Sequence, residues 1–186
     1  MEIGTNSKYP SSKRLPHYGV KNVGKSIREA SELRGTNPMC FVLRKVRNYI
    51  LQISAYFFPI NSVRVWCFRK RGTNIGRGVF IGLYCIFDAA YPEYITIEDY
   101  AMIAGGNHLL AHSRSPEYFE GVLLSYVAAI VVKKHAWLAI NSIVLPDTTI
   151  GEGSILTAGS VAAGKYPSHA IIQGNPAIVV RTYEKE

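Results

Sequence analysis

Six residues separate each member of the apolar series Val132, Leu138, Val144, Ile150, Leu156 and Ala162 from the next. A second series stands two residues ahead of it and is small: Ala136, Ser142, Thr148, Ser154 and Ser160. A period of six matches neither an isolated helix nor a pleated strand. It is the mark of a parallel β-helix, in which each hexapeptide supplies one short strand and one corner. Three such units close a triangular turn, and turns stack at about the 4.8 Å strand spacing. The large apolar residues must then point inward and fill the prism, while the small ones suit tight corners.

The same period begins earlier. Ile75, Ile81 and Phe87 are six apart, and Ile97, Ile103 and Leu109 resume the count after a break at Tyr91-Pro92-Glu93. A second break covers about 112–130. Breaks in a solenoid are loops that leave the prism, and such loops often carry the site. The repeat stops after Pro167, and Gly174-Asn175-Pro176 marks a turn.

Upstream the pattern is helical. Val42, Val46, Tyr49, Ile53 and Tyr56 recur at spacings of three and four, which predicts a helix over Phe41 to Phe58 with these residues on one face. Pro59 stops it. Asn61 or Ser62 can cap a second helix over Val63 to Arg71, which Gly72 ends. Residues 1–38 are polar, rich in Ser, Lys, Gly and Pro, and read as a flexible basic arm with a short helix near Lys25–Leu33. The expected organisation is therefore an arm over 1–38, a helical cap over 39–72 and a repeat domain over 73–182, with an excursion at 112–130.

Charge follows the same division. Residues 1–71 hold 14 Lys and Arg against 3 Asp and Glu, whereas residues 72–186 hold 7 against 10. The basic half could meet anionic lipid, an acidic polymer or a partner subunit. No recognisable nucleic-acid-binding motif accompanies it, so no nucleic-acid partner is expected. Three cysteines, Cys40, Cys67 and Cys85, are odd in number and lack metal-ligand spacing. They fit a reducing, cytoplasmic setting, and no metal is expected. Met1 to Gly19 has no apolar core of the signal-peptide kind, and no run approaches the ~18 apolar residues of a membrane span.

Several segments resemble one family. Ile150-Gly151-Glu152-Gly153-Ser154, Ala158-Gly159-Ser160-Val161, Gly174-Asn175-Pro176-Ala177, Ile97-Glu98-Asp99 and Lys134-His135-Ala136-Trp137-Leu138 are similar to the hexapeptide-repeat acyltransferases. Within that family the chain resembles the small O-acetyltransferases of maltose, galactosides and surface-polysaccharide precursors. The resemblance spans roughly residues 61–182. It implies an all-β fold, a left-handed parallel β-helix with an N-terminal helical segment and a protruding loop. It also implies a homotrimer, with acetyl-CoA as co-substrate in a cleft between neighbouring prisms and a sugar or glycan as acceptor.

Acetyl transfer to an alcohol needs a base for the hydroxyl proton and a dipole for the developing oxyanion. Histidine suits the first role. Of His17, His108, His112, His135 and His169, His112 heads the long excursion after the apolar Leu109-Leu110-Ala111. That resembles the family segment carrying the catalytic histidine. His108, four residues earlier, is the alternative base. Some members place their histidine two residues further on, where this chain has Arg114. Asp88 is expected to orient the base, with Tyr84, Asn107 and Arg114 contacting the acceptor. Positions matching the family's CoA cleft are Trp137, Ala139, Ala158 and Gly159, with Lys165 and Arg181 toward the nucleotide phosphates. His135 is read as a corner residue, and His17 and His169 as surface residues.

Two other readings use the same repeats. A γ-type carbonic anhydrase would need two histidines five residues apart and a third about two coils earlier, yet no histidine lies between His17 and His108. A non-catalytic β-helix scaffold would need none of the catalytic groups. The basic residues 41–71 could also bring the chain to a membrane-bound glycan.

Overall fold

In the computed structural model, residues 8–17, 23–32 and 34–184 are described. The hexapeptides wind into a parallel β-helix with three flat faces. The first face stacks Asn74–Ile75, Ile95–Ile97, Ile130–Val132 and Thr149–Ile150. The second stacks Phe80–Ile81, Met102–Ile103, Trp137–Leu138, Ile155–Leu156 and Ala170–Gly174. The third stacks Ile86–Phe87, His108–Leu109, Ile143–Val144 and Val161–Ala162. Pairing is in register: each six-residue step lands one face onward, and a coil closes after 18 residues where the repeat is unbroken, as from Val132 to Ile150, and after 22 or 35 where a break intervenes, as from Ile81 to Ile103 and on to Leu138. Leu138 pairs with Ile103 below and Leu156 above, and Val144 with Leu109 and Ala162. The inward residues of the clean series are fully buried. A strand of two residues points one side chain in and one out. This is why the apolar period is strict and the residue before each member is free to vary.

The small series lies at the corners. Ser142, Ser154 and Ser160 are buried and spend their hydroxyls on backbone or corner partners: Ser142 on the carbonyls of Ala139 and Thr157, Ser154 on Pro167, and Ser160 on the Thr157 hydroxyl. A larger side chain would leave those carbonyls unpaired.

Helix α1 (Val23–Glu32), helix α2 (Pro38–Phe57) and helix α3 (Asn61–Arg71) precede the prism. Asn37 caps α2, accepting from the Met39 amide at 2.9 Å, and Gly72 ends α3 in the left-handed conformation at φ 114°. Helix α3 closes the prism's first coil. Phe68 stacks on Phe87 with ring centres 4.0 Å apart, and Arg64 donates to the carbonyls of Ile81, Phe58 and Pro59. At the other end, Ala170–Gly174 and Ala177–Thr182 form an antiparallel hairpin on the second face.

One helix expectation changes. Neither Asn61 nor Ser62 caps α3. Ile60 holds the cap position without a side-chain bond, and Asn61 bridges to the prism through the Val79 carbonyl and Ile81 amide. The buried face of α2 is Phe41, Asn48 and Ala55, seven residues apart. Val46, Tyr49 and Ile53, from the apolar series read in the sequence, are exposed. Helix α2 turns its main apolar stripe outward and carries Arg44, Lys45, Asn48 and Gln52 on its inward side, so apolarity does not choose its buried side. Asn48, Ala55 and the polar neighbour Gln52 lie where close approach to α3 and the first coil matters more.

The helix expected near Lys25–Leu33 is α1; Leu33 lies outside the described residues. Residues 8–17, read as part of a flexible arm, are stitched to the prism. Tyr9 donates to Glu98 at 2.6 Å and receives Lys133 at 2.7 Å. Lys13–Arg14 pairs antiparallel with Tyr126–Val127, which pairs with His112–Ser113. The excursion is thus a three-stranded antiparallel sheet whose outer strand comes from the N-terminal segment.

Candidate active site

His112 sits where the third face gives way to the excursion, and Asp88 sits at the end of the coil beneath. The in-register stacking of Phe87 on Leu109 sets them side by side. His112 Nδ1 lies 2.5 Å from Asp88 Oδ2, which also accepts the His112 amide at 3.1 Å. The other carboxylate oxygen accepts the amides of Ala90 at 2.8 Å and Tyr91 at 2.9 Å. The Asp88 side chain is fully buried, while that of His112 is 31% exposed.

Burial alone would raise the Asp88 carboxyl. The hydrogen bond and charge of His112, with the two amides, outweigh it and hold the group below the ordinary carboxylate range. An ionised carboxylate only accepts, so Nδ1 carries the proton and Nε2 presents a free lone pair. A group with a lowered folded-state value contributes stability that is complete above its unfolded value, about 3.9. That contribution is lost as pH falls through the folded value. Acid titration of the melting temperature should therefore fall below about pH 4, and Asp88→Asn should flatten that limb. An unchanged limb would show the pair contributes nothing.

Two residues not singled out in the sequence complete the site. Tyr91 packs edge-on against His112 with ring centres 5.4 Å apart. Arg71, 3% exposed, donates to the carbonyls of Phe87 and Asp88 at 3.0 and 3.1 Å and so fixes the backbone that carries the carboxylate. Tyr91 read as part of a break, and Arg71 as one charge in a basic helix. Only the folded contacts distinguish them.

Several expected positions lie elsewhere. His108 points outward from the third face between Ile86 and Ile143 and has no ion-pair partner among the described residues. Asn107 is wholly buried, donating to the Ala104 carbonyl and accepting from the Ser142 amide, so it holds a corner and faces no pocket. Tyr84 is drawn to α2, its ring 5.2 Å from Tyr56. Arg114 donates to the carbonyls of Pro16 and His17 and ties the excursion to the N-terminal segment. His17 is no free surface residue, because its Nδ1 meets Ser115 at 2.8 Å. His135 and Tyr100 stack at a corner.

Trp137, Ala139, Ala158 and Gly159 do come together. Trp137 is half-exposed on the second face beside Ile155, and the Gly159 amide bonds the Ile140 carbonyl, stacking the 157–159 corner on the 139–141 corner. Gly159 has φ 69°, and nothing lies within 4 Å of where a Cβ would stand. Arg181 extends the same sheet, opposite Ile171. Lys165 stands apart, at the next edge, where its ammonium pairs with Asp147 at 2.7 Å.

Comparison with known proteins gives these features a context. No family model matches the chain. WbbJ of Escherichia coli (strain K12), whose name describes O-acetyl transfer in lipopolysaccharide biosynthesis, is 39% identical, over 80% of this chain and 91% of its own. Among solved structures, the hexapeptide-repeat acetyltransferase VCA0836 of Vibrio cholerae, complexed with acetyl coenzyme A, superposes with a TM-score of 0.65 at 19% identity. It covers 78% of this chain and 90% of that one. A galactoside acetyltransferase in complex with coenzyme A gives 0.59 at 18% identity, over 75% and 80%. The left-handed prism is common to them, and the identity to WbbJ extends over most of both chains: the protein belongs to the hexapeptide-repeat acetyltransferases.

Proposed function

We propose that the protein transfers an acetyl group from acetyl-CoA to a hydroxyl of a sugar in a surface polysaccharide or its precursor. The observation that carries this reading is the His112–Asp88 pair at the mouth of the excursion. His112 Nε2 takes the hydroxyl proton as the oxygen attacks the thioester carbonyl. The oxyanion collapses, the C–S bond breaks, and the thiolate leaves with the proton that the imidazolium returns. The products are the acetyl ester and free CoA. Asp88 holds the ring and stabilises its charged form, a role related to that of the triad aspartate in serine hydrolases. The donor lies along the second face, by Trp137 and the corners at Ala139, Ala158 and Gly159, with Arg181 toward its phosphates. The acceptor lies by the excursion.

A homotrimer completes the cleft. Supporting this, Phe80, Met102 and Trp137 form an exposed apolar row on the second face, and the excursion presents Tyr118, Val122, Leu123 and Leu124 to solvent. The test is thiol release from acetyl-CoA by the purified protein with a panel of surface glycans and their precursors. Release that requires a glycan, with an acetyl ester in the product, supports the reading. No release with any of them sinks it in favour of a non-catalytic scaffold. Sedimentation as a monomer removes the shared cleft.

The protein is further proposed to work in the cytoplasm against the inner membrane face. No helix among the described residues is long and apolar enough to cross a membrane. However, Met39, Leu43, Val46, Ile50, Ile53 and Phe57 form an exposed stripe along α2, opposite its buried face, at alternating spacings of four and three. Residues 38–71 contain seven Lys and Arg and no acid. Arg64 and Arg71 turn inward, leaving Arg47, Arg69 and Lys70 outermost, with Lys70 over the exposed Trp66 ring. An apolar stripe flanked by cations suits an anionic bilayer surface. Flotation with phosphatidylglycerol vesicles should carry the wild type and lose Leu43→Asp/Ile50→Asp. No flotation, or a double variant whose only change is a smaller oligomer, would assign the stripe to another copy of the chain.

A further inference from the structure

Behind the loop that carries Asp88 lies a small cavity lined by Arg34, Arg44, Lys45, Asn48, Arg71 and Glu93, with Ala89, Ala90 and Pro92. Its free volume is about 20 Å³, room for one or two groups the size of water. The lining brings four cations to one carboxylate. That carboxylate, Glu93, is already paired with Arg34 at 3.3 Å. The nearby Asp88 carboxylate is spent on His112 and the amides of Ala90 and Tyr91.

Two donors are left over. Arg44 Nη2 and Arg71 Nε are buried and lack a hydrogen-bond partner. Asn48 cannot serve them, because its carbonyl oxygen accepts from Arg47. Burial first, and then the Arg34 charge, hold the Lys45 ammonium below the ordinary lysine range. Guanidinium and ammonium groups donate only. A water there would satisfy the donors but bring two hydrogens of its own and leave the charge excess untouched. An anion accepts from every side and offsets the charge.

We propose that this cavity is a binding site for a small inorganic anion of chloride size, held by Arg44, Lys45 and Arg71 behind the Asp88 loop. The small volume favours a halide over phosphate. The anion links three elements. Arg71 already grips the carbonyls of Phe87 and Asp88, and Arg34 bonds the Ala90 carbonyl and lies over the Tyr91 ring at 4.5 Å. Filling the space between them fixes both ends of the segment that orients His112, without touching substrate.

The test is thermal melting of the full chain in sodium chloride against sodium gluconate at equal ionic strength. Chloride should raise the melting temperature with the logarithm of its concentration, by about 5–10 °C at a hundredfold excess over its dissociation constant. Lys45→Met and Arg44→Met should lose that dependence. Bromide-soaked wild-type crystals should show one anomalous peak between Arg44 and Arg71, which keeps the proposal testable if a variant fails to fold. Equal melting in the two salts, an empty cavity in bromide, or stabilisation by phosphate and not by chloride would each overturn it. None of these readouts depends on acetyl transfer, so they stand or fall apart from the proposed activity.

Discussion

Replacing His112 by alanine is expected to lower glycan-dependent thiol release about 10²–10⁴-fold, the range a positioned general base supplies. Binding of acetyl-CoA should be little changed, because the corners at 139–141 and 157–159, proposed to hold the donor, stack without it. His108→Ala should retain most of the rate, since His108 stands on the third face with no carboxylate among the described residues to orient it. Asp88→Asn should fall between them or match His112→Ala. An amide in place of the carboxylate can donate to Nδ1 and drive the proton onto Nε2, the tautomer that cannot act as base. Steady-state rates at saturating donor, read by free thiol, decide the matter. Full activity in His112→Ala with loss in His108→Ala would reverse the assignment.

The largest effect on stability should come from the middle of the inward stack. Leu138 is fully buried between Ile103 and Leu156, with the prism closed around it. Neighbouring coils are held in register by their strand ladders, so they cannot collapse into a void. Leu138→Ala should cost about 2–5 kcal/mol and lower the melting temperature by roughly 5–15 °C in a chain of this size. Lys134→Ala, at an exposed corner four residues away, should stay within about 0.5 kcal/mol. If the two variants melt together, the inward stack is not what sets the fold's stability.

The prism was legible in the sequence because its geometry tolerates no drift. Every sixth side chain from Val132 to Ala162 must be apolar or a coil opens. Helix α2 was not legible in the same way. Val42, Val46, Tyr49, Ile53 and Tyr56 make one apolar face, and Met39, Leu43, Val46, Ile50, Ile53 and Phe57 make another. The one that faces the prism, marked by Phe41, Asn48 and Ala55, is chosen by shape and by contacts far along the chain. The candidate site divides similarly. His112 and Asp88 stood out as the histidine heading a break and the acid one coil before it. Tyr91, Arg71 and Arg34 act through backbone carbonyls and ring faces, which no residue spacing announces. Asn107 and Lys165 looked like ligand contacts because their side chains could serve as such. Asn107 is buried and bonded to the Ala104 carbonyl and the Ser142 amide, while Lys165 pairs with Asp147 at an exposed edge.

The strand formed by Lys13–Arg14 sets a boundary for engineering. It is hydrogen-bonded to Tyr126–Val127, and Tyr126–Val127 to His112–Ser113, while Arg114 and Ser115 hold Pro16 and His17. An excursion transplanted from a relative as residues 112–130 alone would arrive without its third strand. Trimming the first 17 residues as a dispensable tail would leave Tyr126–Val127 as an unpaired sheet edge, one strand away from the imidazole. The workable unit of exchange is discontinuous: residues 9–17 together with 112–130, moved as one piece.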